Sequence, residues 1–486
     1  MPSIDWIIVA EIIYVLIVIA VCLHIIYETR SSTKTLAYLM LTVFIPVAGI
    51  ILYFSIGINY RNRSMYSKKL VRDQKLQERL RIEIYKSSFD ALKSVGDYGL
   101  SYKGLAHMIL KDMMSPLTAN NKVKLLINGE HTFREILLAI KEAKNHIHLE
   151  YYTFEDDDIG NQIKDALIVK AREGLEVRFI YDHFGSRSIE KKLAQELKDA
   201  GVLVYPFRKI TFLLLANRLN YRNHRKIIVI DGNVSFVGGI NVADRYMNRA
   251  GEVNKMYWRD THLKITGPGS VYLQYIFLCD WNFCSPHKLQ AEQRFFSDRP
   301  NIHEGSLVQI AASGPDSISP SILYSLLKAI NTAKEEILIT TPYFIPGESL
   351  MDALIISSLS GVHVKLLVPY ISDSRVVNAA ARSYYDDLLK AGVRIFRYKK
   401  GFIHAKSMVF DNKLAIVGTA NMDQRSFDLN FEVMALVLDQ EIATHLRDVF
   451  NQDLEESEEI NPQQWAERAK WRKLLEKSAR MVSPLL

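Results

Sequence analysis

A short motif that occurs twice constrains the fold more than any other feature of this 486-residue chain. In each copy a His is followed two residues later by Lys and seven residues later by Asp, at His224, Lys226 and Asp231 and again at His404, Lys406 and Asp411. Side chains two positions apart in an extended segment lie on the same face. The β-rich run after each Lys predicts a strand there. Each copy is therefore expected to present one imidazole and one ammonium group to a common pocket.

The segments around the motifs are repeated as well. A helical Ala-Ile-x-x-Ala-Lys stretch leads into a predicted strand at 146–152, and the same stretch leads into another at 337–343. Further matching strands are predicted at 174–180 and 361–367. Each half runs strand, helix, strand, helix, strand and then the motif strand. This order predicts an α/β fold, with a mixed sheet flanked by helices in each half.

Small residues and an Asn follow each motif at the same distance. The first copy continues as Val237-Gly238-Gly239-Ile240-Asn241 and the second as Val417-Gly418-Thr419-Ala420-Asn421. Small residues let a backbone approach a phosphate group, and Asn adds an uncharged donor. Gly239, Asn241, Thr419 and Asn421 are therefore predicted to bind substrate.

One acid lies on a predicted strand beyond each copy, Asp260 in the first half and Glu432 in the second. A carboxylate on a neighbouring strand can bond the far nitrogen of a His and fix its tautomer. We expect each acid to support the His of its own half. Glu150 is an acid within an apolar strand, and either a supporting role or a purely structural one fits it. His146, His148, His183 and His262 are expected to be core or surface residues.

Two His-Lys pairs suit phosphoryl transfer without a metal ion. A neutral imidazole can attack the phosphorus of a phosphodiester, and a second, protonated imidazole can give its proton to the leaving oxygen. Lys226 and Lys406 would hold the phosphate oxygens as fixed charges. Asp231 and Asp411 complete the catalytic motif. Each also precedes Gly or Asn, as turn residues at a strand end often do, so that both interpretations stay open.

The double motif with its Gly-Gly/Thr-x-Asn continuation resembles the phospholipase D superfamily. Within it the whole chain is similar to the bacterial cardiolipin synthase family, through Trp258-Arg259-Asp260-Thr261-His262, Asp280-Trp281, Asn421-x-Asp423-x-Arg425-Ser426 and the Ser483-Pro484-Leu485-Leu486 end. The resemblance implies two phospholipase D-like domains related by a pseudo-twofold axis, with the motifs together at their interface. It also implies that a phosphatidyl group passes from one phosphatidylglycerol to another, through a phosphohistidine, to give cardiolipin and glycerol. His224 is then the nucleophile and His404 the acid and base.

The resemblance implies no cofactor and no metal, and it implies membrane phospholipids as partners, with no nucleic acid. A phospholipase D or a phosphatidylserine synthase would share these motifs. A membrane-anchored nuclease would share them too, and the net charge of +7 would suit it. A non-catalytic binding protein fits less well, because both copies keep His and Lys. The three Cys residues predict neither a disulfide framework nor a zinc site.

The N-terminus contains two apolar segments, at 6–27 and 36–58, each long enough to cross a bilayer core of about 30 Å. A hairpin of two transmembrane helices is expected, although Pro46 and Gly49 leave a kinked or re-entrant second helix open. Basic residues crowd the exit of the second segment, at Arg61, Arg63, Lys68, Lys69, Arg72, Lys75, Arg79 and Arg81. The positive-inside rule then puts the catalytic domains in the cytoplasm and makes the chain a multi-pass protein of the cell membrane.

The predicted organisation is two transmembrane helices at 1–60, a basic helical linker at 61–120, a first phospholipase D-like domain at 121–285 with its motif at 224–231, a linker at 286–305, a second such domain at 306–460 with its motif at 404–411, and a C-terminal basic helix at 461–486. An apolar insertion at 210–216, framed by basic residues, is expected either to be buried or to form a lip that touches lipid. The C-terminal helix, with Trp465 and Trp471, is expected to dock on the domain in preference to the membrane.

Overall fold

The computed structural model describes residues 6–29, 32–54, 86–93, 100–207, 221–249, 256–296, 305–317 and 319–482. The insertion at 210–216, the basic cluster at 61–81 and the C-terminal residues 483–486 lie outside these ranges. The described chain divides into an N-terminal unit and a body that contains both motifs.

The N-terminal unit contains one long helix and one broken one. Helix α1 (Trp6–Glu28) has 23 residues, and it is the one helix in the described chain that is long and apolar enough to cross a membrane. The second apolar segment forms α2 (Ser32–Phe44) and α3 (Pro46–Leu52), which are separated at Ile45. Because Pro46 cannot donate to the helix before it, α2 ends there.

The chain reverses direction at this break. A Cβ atom on Gly49 would lie 2.5 Å from the Cα atom of Thr42, and the rings of Tyr38 and Tyr53 are 5.5 Å apart. Both pairs bracket Ile45 symmetrically, as in an antiparallel hairpin. At about 1.5 Å per residue, α2 is about 20 Å long, shorter than the bilayer core. The second apolar segment is therefore a pair of short antiparallel helices and not one continuous helix, in line with the break that Pro46 and Gly49 left open. Whether it spans the membrane stays a prediction.

The body begins with α4 (Lys103–Met113), and its first half follows. The elements of this half are β1 (Thr118–Ile127), α5 (Asn128–Glu142), β2 (His146–Tyr151), α6 (Asp158–Arg172), β3 (Glu176–Asp182), α7 (Leu193–Asp199), β4 (Leu203–Phe207), β5 (Ile227–Ile230), β6 (Val234–Gly238), β7 (Tyr257–Arg259), β8 (Thr261–Thr266) and α8 (Ser270–Cys284). The motif strand predicted after Lys226 is β5.

The second half repeats this order. Its elements are β9 (Ser306–Ser313), α9 (Ser321–Thr332), β10 (Glu336–Thr340), β11 (Phe344–Ile345), α10 (Glu348–Leu359), β12 (His363–Pro369), α11 (Arg375–Arg382), α12 (Tyr385–Lys390), β13 (Arg394–Tyr398), β14 (Gly401–Ile403), β15 (Ser407–Phe410), β16 (Leu414–Gly418), β17 (Met422–Asp423), α13 (Gln424–Asp428), β18 (Glu432–Leu438), α14 (Gln440–Glu455), β19 (Ser457–Glu459), α15 (Pro462–Ala466) and α16 (Lys470–Val482).

Fifteen of the described strands, from both halves, join in one mixed sheet, and β11 with β17 and β7 with β14 form two small separate pairs. Its order is β19-β13-β12-β10-β15-β16-β18-β9-β1-β8-β6-β5-β2-β3-β4, so that the two halves mirror each other about the β9–β1 junction. At that junction Thr118 pairs with Val308 and Asn121 with Ser306. The α/β fold with two related halves is as predicted, and the strand order places the motif strands β5 and β15 at equivalent positions. One apolar cluster contains buried residues of both halves, from Ile227 and Leu263 to Val409 and Val433.

Candidate active site

Each motif loop is held by backbone bonds to the opposite half. The N–H of His224 donates to the carbonyl of Phe431 over 3.0 Å, and the N–H of His404 donates to the carbonyl of Arg259 over 2.7 Å. The His404 loop is also fixed because β14 pairs in parallel with β7. Both histidines therefore stand at the interface of the two halves, as the pseudo-twofold arrangement requires.

Each histidine bonds the carboxylate of the other half. Nδ1 of His224 lies 3.0 Å from Oε1 of Glu432, and Nδ1 of His404 lies 2.7 Å from Oδ2 of Asp260. The expectation that each acid supports the His of its own half was wrong. The reason is the backbone bonding above, which lays each motif loop against the strand of its counterpart. With Nδ1 directed at a carboxylate, Nε2 of each ring is left for chemistry.

The small residues after the motifs make room for these carboxylates. A Cβ atom on Gly239 would lie 2.1 Å from Oδ1 of Asp260, so that only glycine fits there. At the equivalent position Thr419 donates its hydroxyl to Oε2 of Glu432 in a short hydrogen bond. In the structure both residues therefore contact the orienting acids, where the sequence had led us to expect a phosphate group.

The two lysines are buried beside the histidines. Nζ of Lys226 donates to the carbonyl of His224 over 2.8 Å, and Nζ of Lys406 lies 3.0 Å from both ring nitrogens of His404. Burial lowers the pKa of Lys226 to about 7 and that of Lys406 to about 8, although Glu432 and Asp260 oppose the shift. A bound phosphodiester would supply the missing negative charge and raise both values.

Burial also governs the titration of the histidines. It lowers the pKa of His224, which Glu432 partly restores. It lowers the pKa of His404 further, together with the positive charges of Lys406 and Lys226. Glu432, which was expected to support His404, therefore acts on the pKa of His224 instead.

The two orienting acids differ in their own titration. Burial raises the pKa of Asp260 to about 6. Burial would also raise the pKa of Glu432, but His224, Lys226 and Thr419 hold it below its ordinary value.

Asn241 and Asn421 already have protein partners. Nδ2 of Asn241 donates to the hydroxyl of Tyr246 over 2.7 Å, and that hydroxyl lies 3.4 Å from Nδ1 of His404. The side chain of Asn421 bonds the carboxylate of Asp423 and helps to lower its pKa against the larger effect of burial. Direct substrate binding by either Asn, and by Gly239 or Thr419, stays a prediction.

Asp231 and Asp411 do not reach the histidines. Each follows the far end of its motif strand in a left-handed turn with φ of 51°. The carboxylate of Asp231 accepts from the backbone N–H groups of 144, 145 and 146 over 2.7 to 2.9 Å. Asp411 accepts in the same way from 334, 335 and 336. Of the two interpretations, the geometry agrees with the turn, and these two acids hold the start of β2 and of β10.

Glu150 contacts Asn223, the residue before the first motif. The Asn223 amide donates to Oε1 of Glu150 in a short bond, and burial raises the pKa of this acid to about 7. Next to it the guanidinium of Arg225 forms a buried ion pair with Asp280. The sequence analysis had not singled out Asn223 or Arg225. The sequence offered one signal for this ion pair, which is the acid Asp280 inside the apolar helix α8, since a buried carboxylate requires a partner.

Three of the four histidines expected to be core or surface residues, His146, His148 and His262, lie in the core. His146 and His148 both contact the side-chain amide of Gln274, at 3.3 and 3.1 Å. His262 is fully buried, and its pKa is lowered to about 3 by burial. In the part of the chain that the structure describes, no group of three or more His, Cys, Asp or Glu could hold a metal ion.

Two histidines with opposed carboxylates and two buried lysines at the junction of a duplicated α/β fold define a phospholipase D-like enzyme. The model of the family "Cardiolipin synthase, PLD-like domain" matches this chain twice, at 136–264 and 326–454. A second model, "Phospholipase_D-nuclease N-terminal", matches 13–57. The chain belongs to the cardiolipin synthase family.

Relatives agree over the full length. The chain is 40% identical over 480 residues to a cardiolipin synthase of Alkalihalophilus pseudofirmus, and the aligned region covers 98% of this chain and 93% of that relative. It is 39% identical to the major cardiolipin synthase ClsA of Bacillus subtilis, with 97% and 98% covered. A phosphatidylserine synthase of Haemophilus influenzae has the same fold, with a TM-score of 0.60 at 14% identity, over 79% of this chain and 100% of the other.

Proposed function

We propose that this chain transfers a phosphatidyl group from one phosphatidylglycerol to another, which releases glycerol and forms cardiolipin. The observation that carries the proposal is the pair of crossed His–carboxylate contacts with two buried lysines between them. Identity to named cardiolipin synthases over nearly the whole chain supports the choice of lipid substrate.

In the first half-reaction Nε2 of His224 attacks the phosphorus, and the bond from phosphorus to the glycerol headgroup oxygen breaks. His404 gives that oxygen its proton, and glycerol leaves. Lys226 and Lys406 balance the charge on the phosphate oxygens. The assignment of the nucleophile rests on the family resemblance, in which the N-terminal copy supplies it.

In the second half-reaction a glycerol hydroxyl of another phosphatidylglycerol loses its proton to His404 and attacks the phosphorus. The bond from phosphorus to Nε2 of His224 breaks, and cardiolipin is complete. One ester bond is exchanged for another, so that the direction depends on removal of glycerol and on keeping water from the phosphohistidine.

The test is incubation of the purified chain with phosphatidylglycerol alone, followed by lipid analysis. Cardiolipin and glycerol in equal amounts are expected, and EDTA is expected to leave the rate unchanged. Phosphatidic acid without cardiolipin would indicate a phospholipase D instead. A rate lost in EDTA and restored by one divalent ion would contradict the metal-free mechanism.

We further propose that the chain crosses the membrane once, with the body in the cytoplasm. In a re-entrant pair, α3 leaves the bilayer on the side where α2 entered, and Met1 then lies on the opposite side. Charge supports this topology, because Arg30 and Lys34 join the cluster at 61–81 on the cytoplasmic side and residues 1–5 contain no basic residue.

Cysteine labelling distinguishes the topologies. A membrane-impermeant maleimide should label a Ser3→Cys variant in intact cells and a Lys390→Cys variant only after lysis, with the unchanged chain as background. Labelling of both variants only after lysis would favour two full spans.

A further inference from the structure

The C-terminal helix α16 packs on the body with its charged face and exposes its apolar face. Trp471, Leu474 and Met481 recur at intervals of three and seven residues and so lie along one side of the helix. Their exposed fractions are 60%, 66% and 82%, and the neighbouring Leu475 is 59% exposed. An amphipathic helix of a globular domain normally buries its apolar side. Helix α16 instead turns its apolar side outward.

Ion pairs hold the helix in this orientation. The carboxylate of Glu476 is buried and lies 2.9 Å from the guanidinium of Arg468 and 3.2 Å from that of Arg382 on α11. Arg480 lies over the ring of Tyr384, 4.2 Å from its centroid. Trp465, just before the helix, is buried as the docking prediction required. The charged contacts therefore fix which side of α16 faces outward.

The exposed side carries positive charge. Lys470, Arg472 and Lys477 are exposed beside the apolar side chains. Lys473 donates to the carbonyl of Ala466, Arg480 lies over Tyr384, and the single acid of the helix, Glu476, is paired with two arginines. Large apolar side chains between cations are the composition of helices that lie in the headgroup region of an anionic bilayer.

Helix α16 is connected to the candidate active site through α11 and the loop before it. It packs on α11, and the loop before α11 contains Asp373, whose carboxylate accepts from the hydroxyl of Tyr343 over 2.5 Å. Asp373 is close enough to act on the charge of Lys406. A surface that contacts lipid at α16 would therefore bring the site to the membrane interface.

We propose that the outward face of α16, formed by Trp471, Leu474, Leu475 and Met481, inserts into the headgroup region of an anionic membrane and orients the body over its lipid substrate. This proposal deepens the proposed function, on which its activity readout rests. The occupant is a bilayer rich in phosphatidylglycerol, because the cations around the apolar side chains match its charge.

The test uses the full chain in vesicles of phosphatidylglycerol and phosphatidylethanolamine, with the environment-sensitive dye NBD attached at a Leu474→Cys substitution. A Val169→Cys variant is the matched control, since Val169 is an apolar residue of α6 that is 52% exposed. We expect blue-shifted emission at 474 that doxyl-labelled lipid quenches, and neither effect at 169. The shift should weaken in high salt.

Activity supplies a second, independent readout. The ratio of the rate on vesicles to the rate in mixed micelles should fall about tenfold in Leu474→Asp, because a charge replaces the leucine that inserts among the lipid headgroups, and should be unchanged in Val169→Asp.

An unshifted dye at 474, or equal shifts at both positions, would overturn the proposal. A shift that doxyl lipid does not quench would assign the face to a protein partner or to a second copy of the chain. A quenched dye without any cardiolipin formation would uphold the docking surface and reject the proposed reaction.

Discussion

Replacement of the two orienting acids should slow opposite halves of the reaction. Glu432→Gln removes the charge beside His224, the nucleophile, although Glu432 belongs to the second half of the chain. Asp260→Asn removes the charge beside His404, the acid and base, although Asp260 belongs to the first half. A pairing within each half would predict the reverse outcome.

The size of the effect follows from the geometry. Nδ1 of His224 lies 3.0 Å from one oxygen of Glu432 and 3.1 Å from the other, and the carboxylate is fully buried. A hydrogen bond to a charged group contributes about 1.5–3 kcal/mol. If the bond strengthens as positive charge develops on the imidazole, its loss slows the step by about 10- to 150-fold. The fold is expected to survive, because Gln keeps the volume of the side chain.

The assay is rapid-quench kinetics with a phosphatidyl ester of p-nitrophenol, a leaving group that needs no proton. Glu432→Gln should reduce the rate of the nitrophenol burst by about 10- to 150-fold. Asp260→Asn should keep the burst and slow the transfer to an alcohol. Acid quenching and peptide mapping should find the phosphatidyl adduct on His224. Glu336→Gln, at the start of β10 and ion-paired with Lys365, controls for the change of acid to amide.

Two results would refute this reasoning. A burst lowered by Asp260→Asn and not by Glu432→Gln, with the adduct on His404, would exchange the roles of the histidines. Unchanged kinetics in both variants would mean that the crossed contacts do not act in catalysis.

Two further predictions concern charge and turns. The value of kcat/KM should fall as pH rises through about 7 to 8, because Lys226 and Lys406 then lose the protons that attract the phosphodiester. In Lys406→Arg this alkaline limb should become shallower. A flat wild-type profile up to pH 9 would contradict the role of the two lysines in attracting the phosphodiester. Asp411→Asn should destabilise the body by about 1–3 kcal/mol, because a buried turn loses part of its hydrogen bonding, while the nitrophenol burst per folded molecule stays normal. Thermal unfolding and burst titration measure the two quantities. A stable but inactive protein would mean that Asp411 takes part in catalysis.

Much of the fold was accessible from the sequence because the chain is a duplication. Matching apolar segments at 146–152 and 337–343 predicted equivalent strands, and β2 and β10 are found there. The break at Ile45 was less predictable. Pro46 marked the end of a helix, but the reversal depends on the close approach of Gly49 to Thr42, which no periodicity encodes.

The identity of the site residues was also accessible, and their pairing was not. Spacing along the chain relates residues of one half, whereas the backbone bonds from His224 to Phe431 and from His404 to Arg259 cross between the halves. Nothing in the local pattern distinguishes an acid that serves its own half from one that serves the other. The contacts of Gly239 and Thr419 with the orienting acids depend on this crossing, and so the local pattern did not predict them.

The two crossed pairs are not equivalent, and the difference agrees with the proposed roles. Thr419 donates a hydrogen bond to Glu432, whose pKa stays below its ordinary value, and an ionised acid holds His224 in one tautomer. Gly239, at the equivalent position, offers no such donor, and burial raises the pKa of Asp260 to about 6. The acid beside His404 therefore binds a proton more readily than the acid beside His224.

Thr419→Val tests this asymmetry. Loss of the hydroxyl should raise the pKa of Glu432, because a donor to its ionised form is removed. The support for His224 is present above that pKa and lost as pH falls through it, so that the acid limb of the nitrophenol burst should move to higher pH. Thr419→Ser keeps the hydroxyl and should keep the wild-type profile. If Thr419→Val and Thr419→Ser shift the acid limb of the burst equally, the shift comes from altered packing. The asymmetry of the two acids then does not set the roles of the histidines.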